Sequence, residues 1–146
     1  MSGRRDRAAA LAVLDASALL VVVQKERGGR EVEALLSRSA VSTVNLCEVL
    51  GKADPDADRT ELVKRWRAVG VVPVPFDVAD AVRASELYAL TAAAGLSLGD
   101  RACLALGWRL GLPVWTADAA WARLALPVEV RLVRSATRPA ASRPRR

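Results

Sequence analysis

The sequence predicts an α/β fold built on a central parallel β-sheet flanked by helices. Three observations carry that expectation. Short apolar or β-branched runs alternate with helical stretches along the chain. Carboxylates stand just after the predicted strands or at helix starts, and open parallel sheets bind their ligands beyond the carboxyl ends of the strands. The chain has 146 residues, 52% hydrophobic and 26% charged, which suits one domain with a real core.

The elements follow in order. Leu11–Leu14 is an apolar run ending at Asp15 and reads as a buried strand. Ser17–Gln24 reads as a helix, Gly28-Gly29 as a break, and Glu31–Ser37 as a second helix. Ala40–Ser42 is β-like and leads into an amphipathic helix from Thr43 to Lys52. Asp54-Pro55 turns the chain into a helix over Arg59–Val69, closed by Gly70. Val71–Val74 is a strand punctuated by Pro73 and Pro75. Asp77 reads as the N-cap of a long helix running to Ala94 and closed by Gly95. Asp100–Leu110 is a helix with Gly111 as its C-cap. Pro113–Thr116 is a strand, Asp118–Leu124 a short helix, and Val128–Val133 the last strand. There is no internal repeat and no linker in the middle. One domain over residues 1–134 is expected, ordered from about residue 9, with a basic, disordered tail over residues 135–146.

Charge is unevenly spread. The net charge of +6 equals that of residues 131–146, where Arg131, Arg134, Arg138, Arg143, Arg145 and Arg146 meet no acid. Residues 1–7 contribute +2, so residues 8–130 hold 13 basic and 15 acidic residues. The basic character therefore sits at the two ends. The tail has two readings, a solubilising segment or an arm that engages an acidic partner. Arg4, Arg5 and Arg7 before Ala8–Leu14 imitate a secretion signal, but Asp15 interrupts the apolar run. No membrane span is expected, and Cys47 and Cys103 read as buried free thiols of a cytoplasmic protein.

The chain contains no histidine. That excludes a Ser-His-Asp triad, histidine acid–base catalysis and a histidine-ligated zinc site. The chemistry must use carboxylates, hydroxyls, cations or a bound metal. Asp15, Asp100 and Asp118 each stand at a predicted helix start, where an aspartate also serves as a plain cap. Glu48 lies between Leu46-Cys47 and Val49-Leu50, in a helix too apolar for a casual surface glutamate. Asn45 and Lys52 share its face, so a solvated polar stripe is the other reading. Four carboxylates converging on one cleft would repel one another unless Mg²⁺ or Mn²⁺ neutralised them. Such a site suits phosphodiester hydrolysis, because the metal acidifies water and clamps the phosphate with no histidine required.

Three segments carry a family resemblance. They are Val13-Leu14-Asp15-Ala16-Ser17-Ala18-Leu19, Ser97-Leu98-Gly99-Asp100-Arg101-Ala102-Cys103-Leu104-Ala105, and Pro113-Val114-Trp115-Thr116-Ala117-Asp118-Ala119-Ala120-Trp121, with Asn45-Leu46-Cys47-Glu48-Val49 between the first two. The chain resembles the PIN-domain ribonucleases, and more closely the VapC-type toxins of toxin–antitoxin modules. The resemblance runs from about Leu11 to Val133. It implies a PIN fold, commonly dimeric, and a Mg²⁺- or Mn²⁺-dependent endoribonuclease that leaves a 5′-phosphate and a 3′-hydroxyl. It maps Asp15, Glu48, Asp100 and Asp118 onto the family's acidic quartet, with Asp15 and Asp100 as the foremost metal ligands. It places Ser17 and Thr116 where hydroxyls line the site, and it implies a VapB-like antitoxin and a structured RNA such as transfer or ribosomal RNA as partners.

Alternatives stand beside this reading. One is a PIN-like nuclease of RNA processing or DNA structures without an antitoxin. Another is a non-catalytic scaffold that binds RNA or protein. Arg101 either contacts phosphate at the site or pairs with a neighbouring acid. Trp66, Trp108 and Trp121 read as core, and Trp115 as core or as a base-stacking surface. Asp77 and Asp80 read as a cap and a first-turn acid.

Overall fold

A computed structural model describes residues 10–23 and 34–133. The predictions for the N-terminal arginines, Gly28-Gly29, the start of the Glu31–Ser37 helix and the tail from residue 135 lie outside the described residues.

Five parallel strands form one sheet: β1 (Ala12–Leu14), β2 (Ser39–Ser42), β3 (Val71–Val74), β4 (Val114–Thr116) and β5 (Val130–Leu132). Their spatial order is β3-β2-β1-β4-β5, and every neighbouring pair is parallel. The expected parallel α/β architecture is therefore what the chain adopts. The strand order reverses about β1, which pairs with β2 on one side and β4 on the other. That reversal opens a crevice at the carboxyl ends of β1 and β4, the place where open α/β sheets bind ligands.

Strand alternation divides the core into two layers. Ala12, Leu14 and Val41 face a cluster with Ala18, Leu19 and Val21 of α1 (Ala16–Val23) and Leu46 and Val49 of α2 (Thr43–Gly51). Trp66 of α3 (Arg59–Ala68) packs against its edge. On the other face Val13, Ala40, Val74 and Val114 meet Ala84 of α4 (Val78–Glu86) and Cys103, Leu104, Ala105 and Leu106 of α6 (Leu98–Leu110). Val13, Leu14, Val41 and Val114 are wholly enclosed, as central strands covered on both faces require. Trp121 is fully buried in the second layer and Trp115 buried in the first, so both are core residues.

Helix boundaries follow their caps. Ser42 caps α2, Asp58 caps α3, and Asp77 accepts from the Asp80 amide at the start of α4. α6 begins at Leu98, two residues earlier than expected, because Ser97 and Asp100 form a reciprocal capping box. Gly70, Gly95 and Gly111 all take positive φ where the sequence ends its helices. The helix expected to run unbroken from Asp77 to Ala94 is instead three pieces. α4 stops at Glu86, α5 (Tyr88–Thr91) follows, and a 3-10 turn (Ala92–Ala94) leads to Gly95. Leu87 is buried at the break, and the Thr91 hydroxyl donates to its carbonyl at 2.8 Å, a bond that bends helices. The expected helix after Asp118 is likewise a 3-10 turn, Ala119–Arg123, anchored by buried Trp121.

Among the described residues no helix is long and apolar enough to cross a membrane. Cys103 is buried and free, as expected, but Cys47 is exposed, because it lies on the outward side of α2.

Candidate active site

Asp15 leaves β1 and precedes α1, with its amide donating to the Trp115 carbonyl at 2.9 Å. The central position of β1 in the sheet puts its side chain inside the crevice between β1 and β4, 3% exposed. It does not simply cap α1. Ser17 Oγ donates to Asp15 Oδ2 at 2.7 Å, and Thr116 Oγ1 donates to the same oxygen at 3.0 Å. Each hydroxyl is itself fixed by backbone. Ala117 N–H donates to Ser17 Oγ at 2.9 Å, and Asp118 N–H to Thr116 Oγ1 at 3.1 Å. Ser17 and Thr116, the two hydroxyls singled out in the sequence, both reach Asp15. Oδ1 of Asp15 keeps only one longer contact, 3.4 Å from Asn45 Nδ2.

Burial dominates the electrostatics here. It pushes the Asp15 carboxyl from its ordinary 3.8 to about 6, against the lowering hydroxyl bonds, and the negative charge of Asp100 pushes further in the same direction. Glu48 is raised too, first by its own partial burial and then by Asp100. The buried Cys103 thiol behind the site is raised well above its ordinary range, by burial and then by Asp15, Asp100 and Glu48 together. Three carboxylates from β1, α2 and α6 thus act on one another. None of them takes part in a salt bridge among the described residues.

Glu48, read from the sequence either as a site acid or as part of a solvated polar stripe, has its side chain exposed on α2. Its link to the site is Gly99, the residue before Asp100. A Cβ at Gly99 would fall on Glu48 Oε1, so glycine is what lets that carboxylate lie over the start of α6. Asp100 serves two roles. Its Oδ2 accepts from the Ser97 amide at 2.9 Å, and its charge acts on Asp15 and Glu48. Asp118 is exposed and caps the following turn, accepting from Ala120 N–H at 2.9 Å. The cap reading describes Asp118 as it stands, and its hold on the cluster runs through its amide and Thr116.

Arg101 departs from expectation. It neither pairs with an acid nor turns to the carboxylates. Nη1 donates to the Ala84 carbonyl at 3.1 Å, and the guanidinium lies over the Tyr88 ring, 5.2 Å from its centre. One helical step turns it about 100° from Asp100, toward α4 and α5, which receive it.

Two features escape sequence reading. Asn45, read as part of a possible polar stripe, is wholly buried, and its amide joins Asp15 to the Gly99 carbonyl. Its i−3 spacing from Glu48 in an apolar helix was the only signal. Asp80, read as a first-turn acid, is 1% exposed and receives Arg109 through two bonds of 2.6 and 3.1 Å.

The fit of a cation can be judged from the donors. Three carboxylates that offer hard oxygen atoms, with no salt-bridge partner among the described residues, make a set that a divalent ion satisfies. Among the described residues, however, no three acid or cysteine side chains stand close enough to hold an ion in their present rotamers. Glu48 is exposed and Asp100 half-buried, so these two have room to turn, while Asp15 is fixed.

The family model of the PIN domain matches residues 12–126, which includes all four acids. The chain belongs to the PIN-domain family. PIN domains are nucleases, and the match spans the sheet from β1 through β4. No curated protein matches this chain. Among solved structures, the PIN fold here is similar to DNA-bound VapBC from Salmonella typhimurium, at 18% identity and a TM-score of 0.66 over 84% of this chain and 98% of that one. It is similar to a toxin–antitoxin complex from Klebsiella pneumoniae, at 22% identity and a TM-score of 0.61 over 81% and 98%. It is also similar to VapBC-5 of Mycobacterium tuberculosis, at 26% identity and a TM-score of 0.55 over 86% and 98%.

Proposed function

We propose that this PIN domain is the toxin of a VapBC-like pair, a Mg²⁺- or Mn²⁺-dependent endoribonuclease held in check by a VapB-like antitoxin. The observation that carries the reading is the buried Asp15 carboxylate, pinned by two hydroxyls and acted on by the charge of Asp100, with neither acid in a salt bridge among the described residues. The likeness to VapBC complexes, including the 26% identical one, supports the antitoxin.

Asp15 and Asp100 are the residues that would hold the ion, with Glu48 and Asp118 completing the set. A bound ion would supply charge neutralisation for these acids, an attraction for the RNA phosphate and a more acidic water. The remaining work belongs to the chain. Ser17 and Thr116 keep Asp15 Oδ2 in one orientation and offset part of its burial cost. Gly99 lets Glu48 approach, and the capping box fixes the backbone from which Asp100 projects. The uncompensated acids would repel RNA, so binding of substrate and of ion are coupled.

Expression of the chain should arrest growth, and Asp15→Ala should abolish the arrest. Purified protein should cut RNA in Mg²⁺ or Mn²⁺ and stop in EDTA. Sequencing the new 5′-phosphate ends would identify the target. Cleavage that persists in EDTA, or arrest that survives Asp15→Ala, would falsify the metal-nuclease reading. RNA binding without cleavage in either metal would make the domain a scaffold.

A further inference from the structure

Asn45 lies where three parts of the candidate site meet. It sits on α2, one turn before Glu48, and its side chain is fully buried. Its Nδ2 donates to the Gly99 carbonyl on α6 at 2.9 Å and contacts Asp15 Oδ1 at the end of β1 at 3.4 Å. The orientation of the amide is forced. A backbone carbonyl and a carboxylate oxygen are both acceptors, so only the NH₂ end can face them. Among the described residues, Asn45 Oδ1 is buried with no hydrogen-bond partner. A group that leaves one buried acceptor unpaired costs free energy. The same shape in leucine or valine would pack against the neighbouring apolar residues of α2 without that cost.

We infer that Asn45 is a positioning residue, which spaces Asp15 from the Asp100-bearing end of α6 and so presets the carboxylate pair for a divalent cation. The inference rests on the nuclease reading above. Gly99 is adjacent to Asp100, so a bond to its carbonyl fixes the first turn of the helix that carries the acid. The second hydrogen of the same NH₂ holds the one Asp15 oxygen that Ser17 and Thr116 leave open. Without the bridge, two like charges on separate elements move apart, and the ion must draw them together again at the expense of its affinity. Residues that orient metal ligands cost about 10–100-fold in affinity or activity when removed.

The test uses the full chain and Mn²⁺ alone, titrated by calorimetry, beside cleavage of total bacterial RNA. Asn45→Ala removes the bridge, and Asn45→Asp keeps the shape but replaces the donor with an acceptor. Two variants are used because either one alone could fail to fold, and circular dichroism reports that. In a folded variant, Mn²⁺ affinity should fall at least tenfold, and cleavage at limiting Mn²⁺ should fall with it. Raising Mn²⁺ should restore much of the Asn45→Ala rate, with the KM for RNA little changed. A general packing defect would not be rescued by the ion. Mn²⁺ affinity within twofold of wild type in a folded variant overturns the inference while leaving the nuclease reading in place. Wild-type protein that neither binds Mn²⁺ nor cuts RNA overturns both.

Discussion

Asp15 shows how one residue can be costly to the fold and useful to the site. Its carboxyl titrates near 6 in the folded chain, against 3.8 ordinarily. Between those values the folded state binds more protons than the unfolded state, so stability falls as pH rises through that window. Above pH 6 the whole cost is present, roughly 3 kcal/mol from the size of the difference. Chemical denaturation in EDTA should therefore show metal-free protein losing stability between pH 4 and 6. Asp15→Asn should flatten that loss and be the more stable protein at pH 7. An unchanged pH profile in the variant would contradict the assignment to Asp15. Gly99 is a second residue with opposed demands. It occupies a helical position, where alanine is favoured by up to about 1 kcal/mol. Yet its missing Cβ makes room for the Glu48 carboxylate. Gly99→Ala should raise or preserve the melting temperature while lowering RNA cleavage about tenfold by displacing Glu48. Loss of stability with full activity would mean that Glu48 does not need this approach.

Among the elements, α4 and α6 are joined by the pair that sequence reading left as a first-turn acid. Arg109 donates twice to Asp80, and this partner raises the arginine's already high pKa, with some opposition from burial. The partners differ in exposure, at 21% for the Arg109 side chain and 1% for that of Asp80. Removing either one is therefore not equivalent. Arg109→Leu strands a buried carboxylate and should cost about 3 kcal/mol in urea denaturation. Asp80→Leu strands an arginine that can still reach water and should cost less. Equal losses would show that the helices are held by other contacts. Gly107 makes α6's other demand. A Cβ there would strike Val114 Cγ2 on β4, so the helix lies close against the central sheet and its start is carried over the β1 end.

For the whole molecule, charge and topology divide the work. The folded body carries a slight excess of acid, and the basic excess belongs to the chain ends. If the C-terminal arginines hold RNA to an acidic cleft, truncation after Val133 should weaken RNA binding and flatten its dependence on salt. Filter binding across a salt series measures both. Unchanged slopes would leave the tail a solubilising segment. The strand pattern, the glycine stops and the acids after β1 and β4 were legible because they depend on local periodicity and backbone chemistry. So were Ser17 and Thr116, through their spacing from Asp15 and Asp118 in segments that resemble the PIN family. Helix continuity past Leu87 was not legible, because a buried leucine and a threonine back-bond decide it. What Arg101 and Glu48 meet was not legible for a related reason: neighbours in sequence point to different sides of a helix, and only packing says what each side meets. By itself the sequence determined a parallel α/β domain with no histidine chemistry, with aspartates at strand ends and helix starts and a glutamate inside an apolar helix. Tertiary structure alone decided that Asp100 acts on both Asp15 and Glu48, and that Asn45 bridges β1 to α6. Those outcomes depend on distances across elements far apart in the chain, which local residue preferences do not encode.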